Sequence, residues 1–418
     1  MFEKRLLVTG GAGFIASHVI ICLLERYPDY LIINLDKLDY CASLKNLKSV
    51  SHRKNYKFIK NPGVQSFRIP LLSERSLCDS IAKHPINHIV EFANDTPVVG
   101  LINNDVPTSL RRGGGRVQGF VPANNLFLNV DKGDICDEHF MKLLFEIERI
   151  HIVLHFAAQT HVDKSFWCSS EFKNVNIYGT EILVKAAYQA NVEKFIHVST
   201  DEVYGGSIKE EFSETSPRCP TNPYAASKAA SECVVMSYWE NFKFPVIVTR
   251  SSNVYGPHQY PEKVIPKFIA LLQRNRKCCI HGTGNQTRHF LYATDVAEAF
   301  LTILEKGEPG EVYNVGTNFV LSVFQLAKEL VHLIKETVSE SELELWIDHV
   351  NDRPSNDLGY PMNSKKLHRL GWKPKVPWEE GIRKTIKWYE TNFHNWSDAE
   401  NALAPFPSSV LQDGCQQL

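Results

Sequence analysis

The residues that most restrict the fold lie near the N-terminus, where the apolar run "RLLVT" breaks on "GGAG" and passes at once into "FIASHVIICLLERY". The run ending at Thr9 reads as a buried strand, and the apolar positions recurring at three-to-four spacing after it read as a helix. Joining the two within a few residues demands a tight turn, and Gly10, Gly13 and Ala16 supply a G-x-x-G-x-x-A spacing suited to one. Residues without a side chain also let a pyrophosphate approach the backbone at the positive end of the helix dipole. Taken alone, the pattern is equally a structural strand-to-helix turn. Asp36, which ends the second strand-like run "LIINLD", moves the reading towards a dinucleotide. An acid about 20 residues past the glycines accepts hydrogen bonds from ribose hydroxyls and repels a 2′-phosphate. NAD is therefore expected rather than NADP.

The same alternation continues along the chain. "RLLVTG", "LIINLD", "YKFI", "HIVLHF", "KFIHVS" and "FPVIVTR" read as buried strands, and "SHVIICLLERY", "DEHFMKLLFEIE", "NIYGTEILVKAAYQA" and "YAASKAASECVVMSYWE" as helices between them. Strands that alternate with helices pair in parallel, because each crossover lays a helix on one face of the sheet. The expected fold is α/β: a Rossmann-type doubly wound parallel sheet over residues 1–255, followed by a smaller C-terminal α/β substrate-binding lobe over 256–395 and a tail at 396–418. The second half suits such a lobe, since "GPHQYPEKVIPKF", "GTGNQTRHFLYATD" and "NDRPSNDLGYP" are polar and turn-rich. Residues 61–132 break the rhythm with prolines, a Gly-Arg cluster and no sustained periodicity, and are expected to be an irregular inserted segment.

Composition excludes several functions. With 43% apolar and 22% charged residues and a net charge of −1, the chain presents no basic face for nucleic acid or an acidic membrane, so a small molecule is the expected partner. Ten cysteines without a C-x-x-C pair suit a reducing compartment. No secretory signal or apolar span of about 20 residues is evident. A cytoplasmic location, with no membrane and no nucleic-acid partner, is expected, and no metal site is.

Two further stretches carry chemistry. "PYAASK" gives Tyr224 and Lys228 at i and i+4, so both side chains share one helical face and an ammonium can favour the phenolate of a tyrosine base. Such pairs are commonly solvated helical neighbours, but behind a dinucleotide turn they read as a base acting on a sugar hydroxyl. "STDEVYG" delivers Thr200, Asp201 and Glu202 to the C-terminal end of a strand, the edge at which a parallel sheet meets its cofactor. Ser199-x-x-Glu202 is also a capping box for a helix start, so the structural alternative stays open.

The ordered series "TGGAGFIAS", "LDKLDY", "GDICD", "LHFAAQTHVD", "STDEVYG", "PYAASKAA", "SSNVYGPHQYPEKVIP", "GTGNQTRHFLYATD" and "DRPSND" resembles the nucleoside-diphosphate-glucose 4,6-dehydratases. These form an extended branch of the short-chain dehydrogenase/reductase superfamily, and the likeness runs from Lys4 to about Tyr389 apart from the inserted segment. The resemblance implies that Gly10, Gly13, Phe14, Ile15, Asp36, Lys37, Asp134, Ile135 and Ala157 hold NAD together with Tyr224 and Lys228. It implies that Tyr224, helped by Lys228 and the Thr200 hydroxyl, oxidises C4 of the glucose, that Glu202 removes the C5 proton, and that Asp201 protonates the departing C6 hydroxyl. Substrate contacts are implied at Thr160 for the sugar, Asn253 for the diphosphate, Glu262 and Lys263 for the base, and Arg288 and Arg353 for phosphate, with Tyr360 nearby. A homodimer is implied, with helices from Asn176 to Ala190 and from Tyr224 to Glu240 pairing between subunits.

Adjacent acids separate this reaction from that of an epimerase on the same scaffold, which needs no acid-base pair for water loss. An epimerase or decarboxylase, or a nucleotide-sugar-binding protein without turnover, are the alternatives. Gly359-Tyr360 replaces the family's usual arginine-tyrosine, and Asn253-Val254 its usual asparagine pair, which leaves dTDP-glucose and UDP-glucose both open. In the family the third strand runs directly into the "GD-I-x-D" stretch, whereas "NYKFIK" and "GDICD" are here separated by residues 61–132. That segment reads as foreign to the fold, from a mobile element or a gene-prediction error, with a regulatory loop as the alternative. Its "EFANDTPVVGLINND" weakly resembles a reverse-transcriptase motif in which Asn94 replaces an aspartate, so no polymerase activity is expected.

Overall fold

The computed structural model describes residues 2–60, 89–91, 99–101, 110–112, 115–117, 133–207, 209–336 and 339–404. Its main element is a seven-stranded sheet. The first three strands are β1 (Lys4–Thr9), β2 (Tyr30–Asp36) and β3 (Tyr56–Lys60). Four short strands follow within the inserted segment, β4 (Ile89–Glu91), β5 (Val99–Leu101), β6 (Leu110–Arg112) and β7 (Gly115–Val117). The sheet resumes with β8 (Ile152–His155), β9 (Lys194–Thr200) and β10 (Val246–Ser251). After β11 (Asn253–Tyr255), β12 (Cys278–His281) and β13 (Thr287–Tyr292) comes its last strand, β14 (Val312–Val315).

The order across the sheet is β14-β10-β9-β8-β1-β2-β3, and every pairing is parallel. It reverses direction between β1 and β8, and a crevice opens at such a switch point beyond the strands' carboxyl ends. Both β1 and β10 are fully buried along most or all of their length, as expected for strands covered by helices on two faces. The helix Phe14–Arg26 buries Val19, Ile20, Leu23 and Leu24, which join Phe300, Ile303 and Leu304 of the helix Ala293–Lys306 in one apolar cluster with Leu6 and Val8. Truncating any of these leucines to alanine costs about 2–5 kcal/mol by the usual cavity rule.

The expected boundary at residue 255 is not where the chain leaves the sheet. Helix Ala293–Lys306 and strand β14 return to it, so the larger layer draws on residues from both sides of that position. The smaller lobe holds β11, β13 and β15 (Val320–Ser322) in one sheet, and β12 paired with β16 (Ile347–Val350). Helices Val264–Gln273, Val323–Lys335 and Trp378–Asn392 pack with them over a second apolar cluster, rich in Tyr255, Phe290, Tyr292 and Trp378.

Residues Asn61–Gly133 form a compact unit of their own, separate from Met1–Lys60 with Asp134–Leu418. Its described residues make a four-stranded antiparallel ladder in the order β4-β5-β6-β7. Asn94 and most of the segment lie outside the described residues. On the sheet, Lys60 pairs with Asp36 and the returning Asp134 reaches Lys37 at 3.8 Å. The two ends of the segment thus attach beside neighbouring residues. Among the described residues no helix is long and apolar enough to cross a membrane.

Candidate active site

The glycine turn is built as its sequence suggests. Gly10 adopts φ +69°, and a Cβ there would lie 2.8 Å from the backbone of Ala157, just past β8. A side chain is excluded both by conformation and by space, so Gly10 and Ala157 bring the ends of β1 and β8 together at the switch point. Gly13 occupies the N-cap of helix Phe14–Arg26 without a side-chain cap, which leaves first-turn amides at Phe14 and Ile15 for an anion. Asp36 is 6% exposed; one carboxylate oxygen accepts from the Ala12 amide at 2.9 Å and the other from Leu38 at 2.7 Å. Burial raises its pKa despite these two bonds, the cost of holding an acid where a ribose hydroxyl would meet it. Asp134 accepts from the Cys136 amide at 3.0 Å, and Ile135 is buried against Gly179. The cradle and the acid at its edge fit NAD.

Thr200 ends β9, and Asp201–Tyr204 form a one-turn 3₁₀ helix immediately after it. Thr200, rather than Ser199, caps this turn: its hydroxyl accepts from the Glu202 amide at 3.3 Å. The Ser199 hydroxyl is buried without a partner. The capping-box alternative is thereby corrected, since Glu202 directs its carboxylate elsewhere, accepting from the Asn222 side-chain amide at 2.8 Å.

Asp201 is 2% exposed. One of its oxygens accepts from the Thr200 hydroxyl at 3.0 Å, and the other is buried with no partner. Burial, then the neighbouring Glu202, pushes its pKa up to about 8, so it is protonated near neutrality. A neutral acid beside a second carboxylate is the arrangement in which one group donates and the other accepts a proton.

Helix Pro223–Phe242 carries Tyr224 and Lys228 into the same interior, 8% and 5% exposed. The sequence suggests that Lys228 brings the phenol's pKa down. In the protein alone the direction is upward: burial dominates, Glu202 adds to it, and the Thr200 hydroxyl pulls back. Lys228 is itself lowered to about 8 by burial, with Glu232 opposing. A fixed positive charge on a bound cofactor would oppose that shift and favour the phenolate.

Beside this cluster opens a cavity of about 570 Å³, whose wall includes Glu202, Asn222, Asn253, Glu262 and Arg288. Lys263, Arg353 and Tyr360 line it as well. Arg353 makes a close ion pair with Asp163 at 2.7 Å, and Arg288 is aimed by the carbonyls of Thr287 and Asp357 and lies over the Tyr360 ring. The Tyr360 hydroxyl donates to Asp357 at 2.7 Å. Glu262 accepts from the Tyr40 hydroxyl at 2.9 Å. The side-chain oxygen of Asn253 is buried and unpaired, free for a ligand donor. Thr160 is not part of this wall; its carbonyl receives the Lys263 ammonium at 2.6 Å.

Sequence reasoning missed Asn222, although an asparagine followed by Pro at the first helical position is a usual helix start. It also missed the link from the half-buried Asp39 through the buried Gln159 and Asn176 to Ser227. Asn176 enters it from a π-helical stretch, Lys173–Gly179, a departure of the kind that helices show at functional sites.

A glycine turn at the switch point, an acid at the end of β2, and a tyrosine near two carboxylates with a lysine one helical turn on define a Rossmann-type NAD-dependent sugar-nucleotide enzyme. Residues 87–385 match the family model described as GDP-mannose 4,6 dehydratase. The chain is 61% identical over 406 residues to a dTDP-D-glucose 4,6-dehydratase of Mus musculus, covering 97% of this chain and 94% of the relative. The corresponding figures for the Homo sapiens protein of the same description are 60%, 97% and 95%. A crystal structure of dTDP-glucose 4,6-dehydratase from Streptomyces venezuelae with NAD bound superposes with a TM-score of 0.73 at 29% identity, covering 95% of this chain and all of that one. The chain belongs to the GDP-mannose 4,6 dehydratase family.

Proposed function

We propose that the chain is an NAD-dependent hydro-lyase that converts a nucleoside-diphosphate-glucose to its 4-keto-6-deoxy derivative, with dTDP-glucose as the substrate. The observation that carries the reaction is the buried Asp201, with one unpaired oxygen, adjacent to Glu202 at the cavity wall, where burial favours its protonated form. The thymidine nucleotide follows the substrate named for the mouse and human relatives.

Residues at the glycine turn, with Asp36, Lys37, Asp134, Ile135 and Ala157, would hold NAD, which when bound would supply a hydride acceptor for C4 and, once reduced, a hydride donor for C6. Tyr224 takes the proton of the C4 hydroxyl, with Thr200 beside it and Lys228 behind it. The resulting ketone acidifies the C5 proton, and Glu202 removes it. The C5–H electron pair becomes the second bond between C5 and C6 as the C6–O bond breaks. Asp201 gives its proton to the departing hydroxyl, which leaves as water, and when hydride is returned to C6 the proton held by Glu202 goes back to C5. Asn253, Arg288 and Arg353 bind the diphosphate, Glu262 and Lys263 the base, and Tyr360 orients Arg288; Thr160, off the cavity wall, acts through its carbonyl on Lys263.

Incubation with dTDP-glucose should give a product lighter by one water and carrying a 4-keto group, read by mass spectrometry. A mass-neutral epimer would replace the dehydratase reading, and faster turnover of UDP-glucose would replace the nucleotide assignment. Because Asp201 must keep its proton, turnover should fall as pH rises through about 8. Substitution of Asp201 by Asn should abolish that limb together with most activity.

A homodimer is supported by the exposure of Tyr178, Tyr188 and Phe242 at 49%, 37% and 56%, with Tyr188 stacked on Phe242. Such rings on neighbouring helices suit burial against a second copy, and sedimentation of a monomer would refute it. Cytoplasmic residence rests on composition and is tested by cell fractionation. We also propose that residues 61–132 are foreign to the fold. Their deletion rejoins chain ends that attach at neighbouring positions and should raise both Tm and NAD affinity. A drop in both would make the segment a working part of the enzyme.

A further inference from the structure

We infer that Asn222 is the positioning residue that aims the Glu202 carboxylate at the sugar carbon it deprotonates. The inference rests on the assignment of Glu202 as the C5 base.

Asn222 is the last extended residue before helix Pro223–Phe242, with φ −138° and ψ 161°. Its side-chain oxygen accepts from the Ala225 backbone amide at 2.8 Å. A backbone N–H can only donate, so this bond fixes which end of the amide group faces the helix. Nδ2 is therefore turned away from it, and donates to Glu202 Oε2 at 2.8 Å. The asparagine side chain is 7% exposed, and both residues stand on the cavity wall.

The two bonds tie together the two elements on which the chemistry depends. One is the 3₁₀ turn Asp201–Tyr204, which carries the acid and the base. The other is the helix that carries Tyr224, two residues beyond Asn222, and Lys228. C4 oxidation and C5 deprotonation occur at adjacent carbons of one ring, so their catalytic groups must keep a fixed spacing. A glutamate side chain held by a single backbone position samples several rotamers, and a misplacement of an ångström in a reacting group can cost about 10²-fold in rate. The bond from Asn222 restricts that freedom and leaves Oε1 to complete the carboxylate.

An ordinary helix cap would explain the Ala225 bond but not the Glu202 bond, and the two roles separate by substitution. Serine and aspartate cap helices about as well as asparagine does, yet serine lacks the donor to Glu202 and aspartate opposes it with a like charge. Asn222→Ser should retain the wild-type Tm and KM within about twofold, while kcat falls roughly 10- to 100-fold. In a single turnover the absorbance of reduced nicotinamide should accumulate, because C4 oxidation proceeds and C5 deprotonation lags. Exchange of the C5 hydrogen with deuterated solvent should slow by the same factor as kcat. Asn222→Asp should show the same pattern with a larger loss, and it decides the matter if the serine variant does not fold.

Wild-type exchange and kcat in the serine variant would overturn the inference. So would an equal fall in C4 oxidation and C5 exchange, which would make Asn222 a cap for the whole site. Failure of the underlying base assignment looks different: Glu202→Gln would then itself retain C5 exchange.

Discussion

Glu202→Gln is expected to lower formation of the 4-keto-6-deoxy product by roughly 10²- to 10⁴-fold, the range over which a positioned general base acts. The change keeps the side-chain volume and an oxygen that can still accept from Asn222, so the 3₁₀ turn and its Thr200 cap should persist. Only the capacity to take a proton is removed. C4 oxidation does not use that capacity, so one equivalent of reduced nicotinamide should form rapidly and then persist. Solvent deuterium should not enter C5. Product formation at the wild-type rate would remove Glu202 from the reaction and return it to a structural part in the loop.

Tyr224→Phe should give a loss of similar size, roughly 10²- to 10⁴-fold in kcat, but with the opposite intermediate pattern. The phenyl ring keeps the buried packing of a residue that is 8% exposed and lies edge-on to Phe172 at 6.4 Å. What disappears is the phenolic oxygen proposed to receive, as phenolate, the C4 proton beside Thr200. Neither reduced nicotinamide nor C5 exchange should be seen, since the ketone that acidifies C5 never forms. A tyrosine buried with a raised pKa makes a poor base in the apoprotein. Titration of the phenol, followed by its ultraviolet absorbance, should therefore shift downward when NAD is added. Accumulation of reduced nicotinamide in the phenylalanine variant would assign C4 oxidation to another group.

The pair of variants divides the reaction at the ketone. A site in which both variants stopped at the same point would need one residue to serve both steps, and the structure keeps the two groups on different elements. Tyr224 belongs to a helix of the main layer, whereas Glu202 belongs to the turn that ends β9.

Six of the seven main strands were legible as short apolar runs because parallel strands buried on both faces carry little polar alternation. The seventh, β14, was not. "VYNV" is only four residues long, too short for periodicity to register, and it lies after the turn-rich region that reads as a separate lobe. Its place beside β10 is a tertiary fact. The proposed catalytic residues were legible for a different reason: Thr200, Asp201 and Glu202 are adjacent, and Tyr224 and Lys228 are one helical turn apart. Local spacing alone put them on common faces.

The amino-acid sequence determined the alternation of strand and helix, the glycine turn with Asp36, and the presence of two acids at a strand end. Each is local, set by φ/ψ preference, side-chain volume or spacing within a few residues. Tertiary structure decided the rest. It buried Asp201 beside Glu202 until its pKa rose to about 8, the difference on which the proposed division into an acid and a base rests. It brought Asn222 to Glu202 across a sequence separation of 20 residues, and turned the supposed Ser199 capping box into a Thr200 cap. Desolvation and the direction of a hydrogen bond depend on every element packed around a group, so no stretch of sequence contains them.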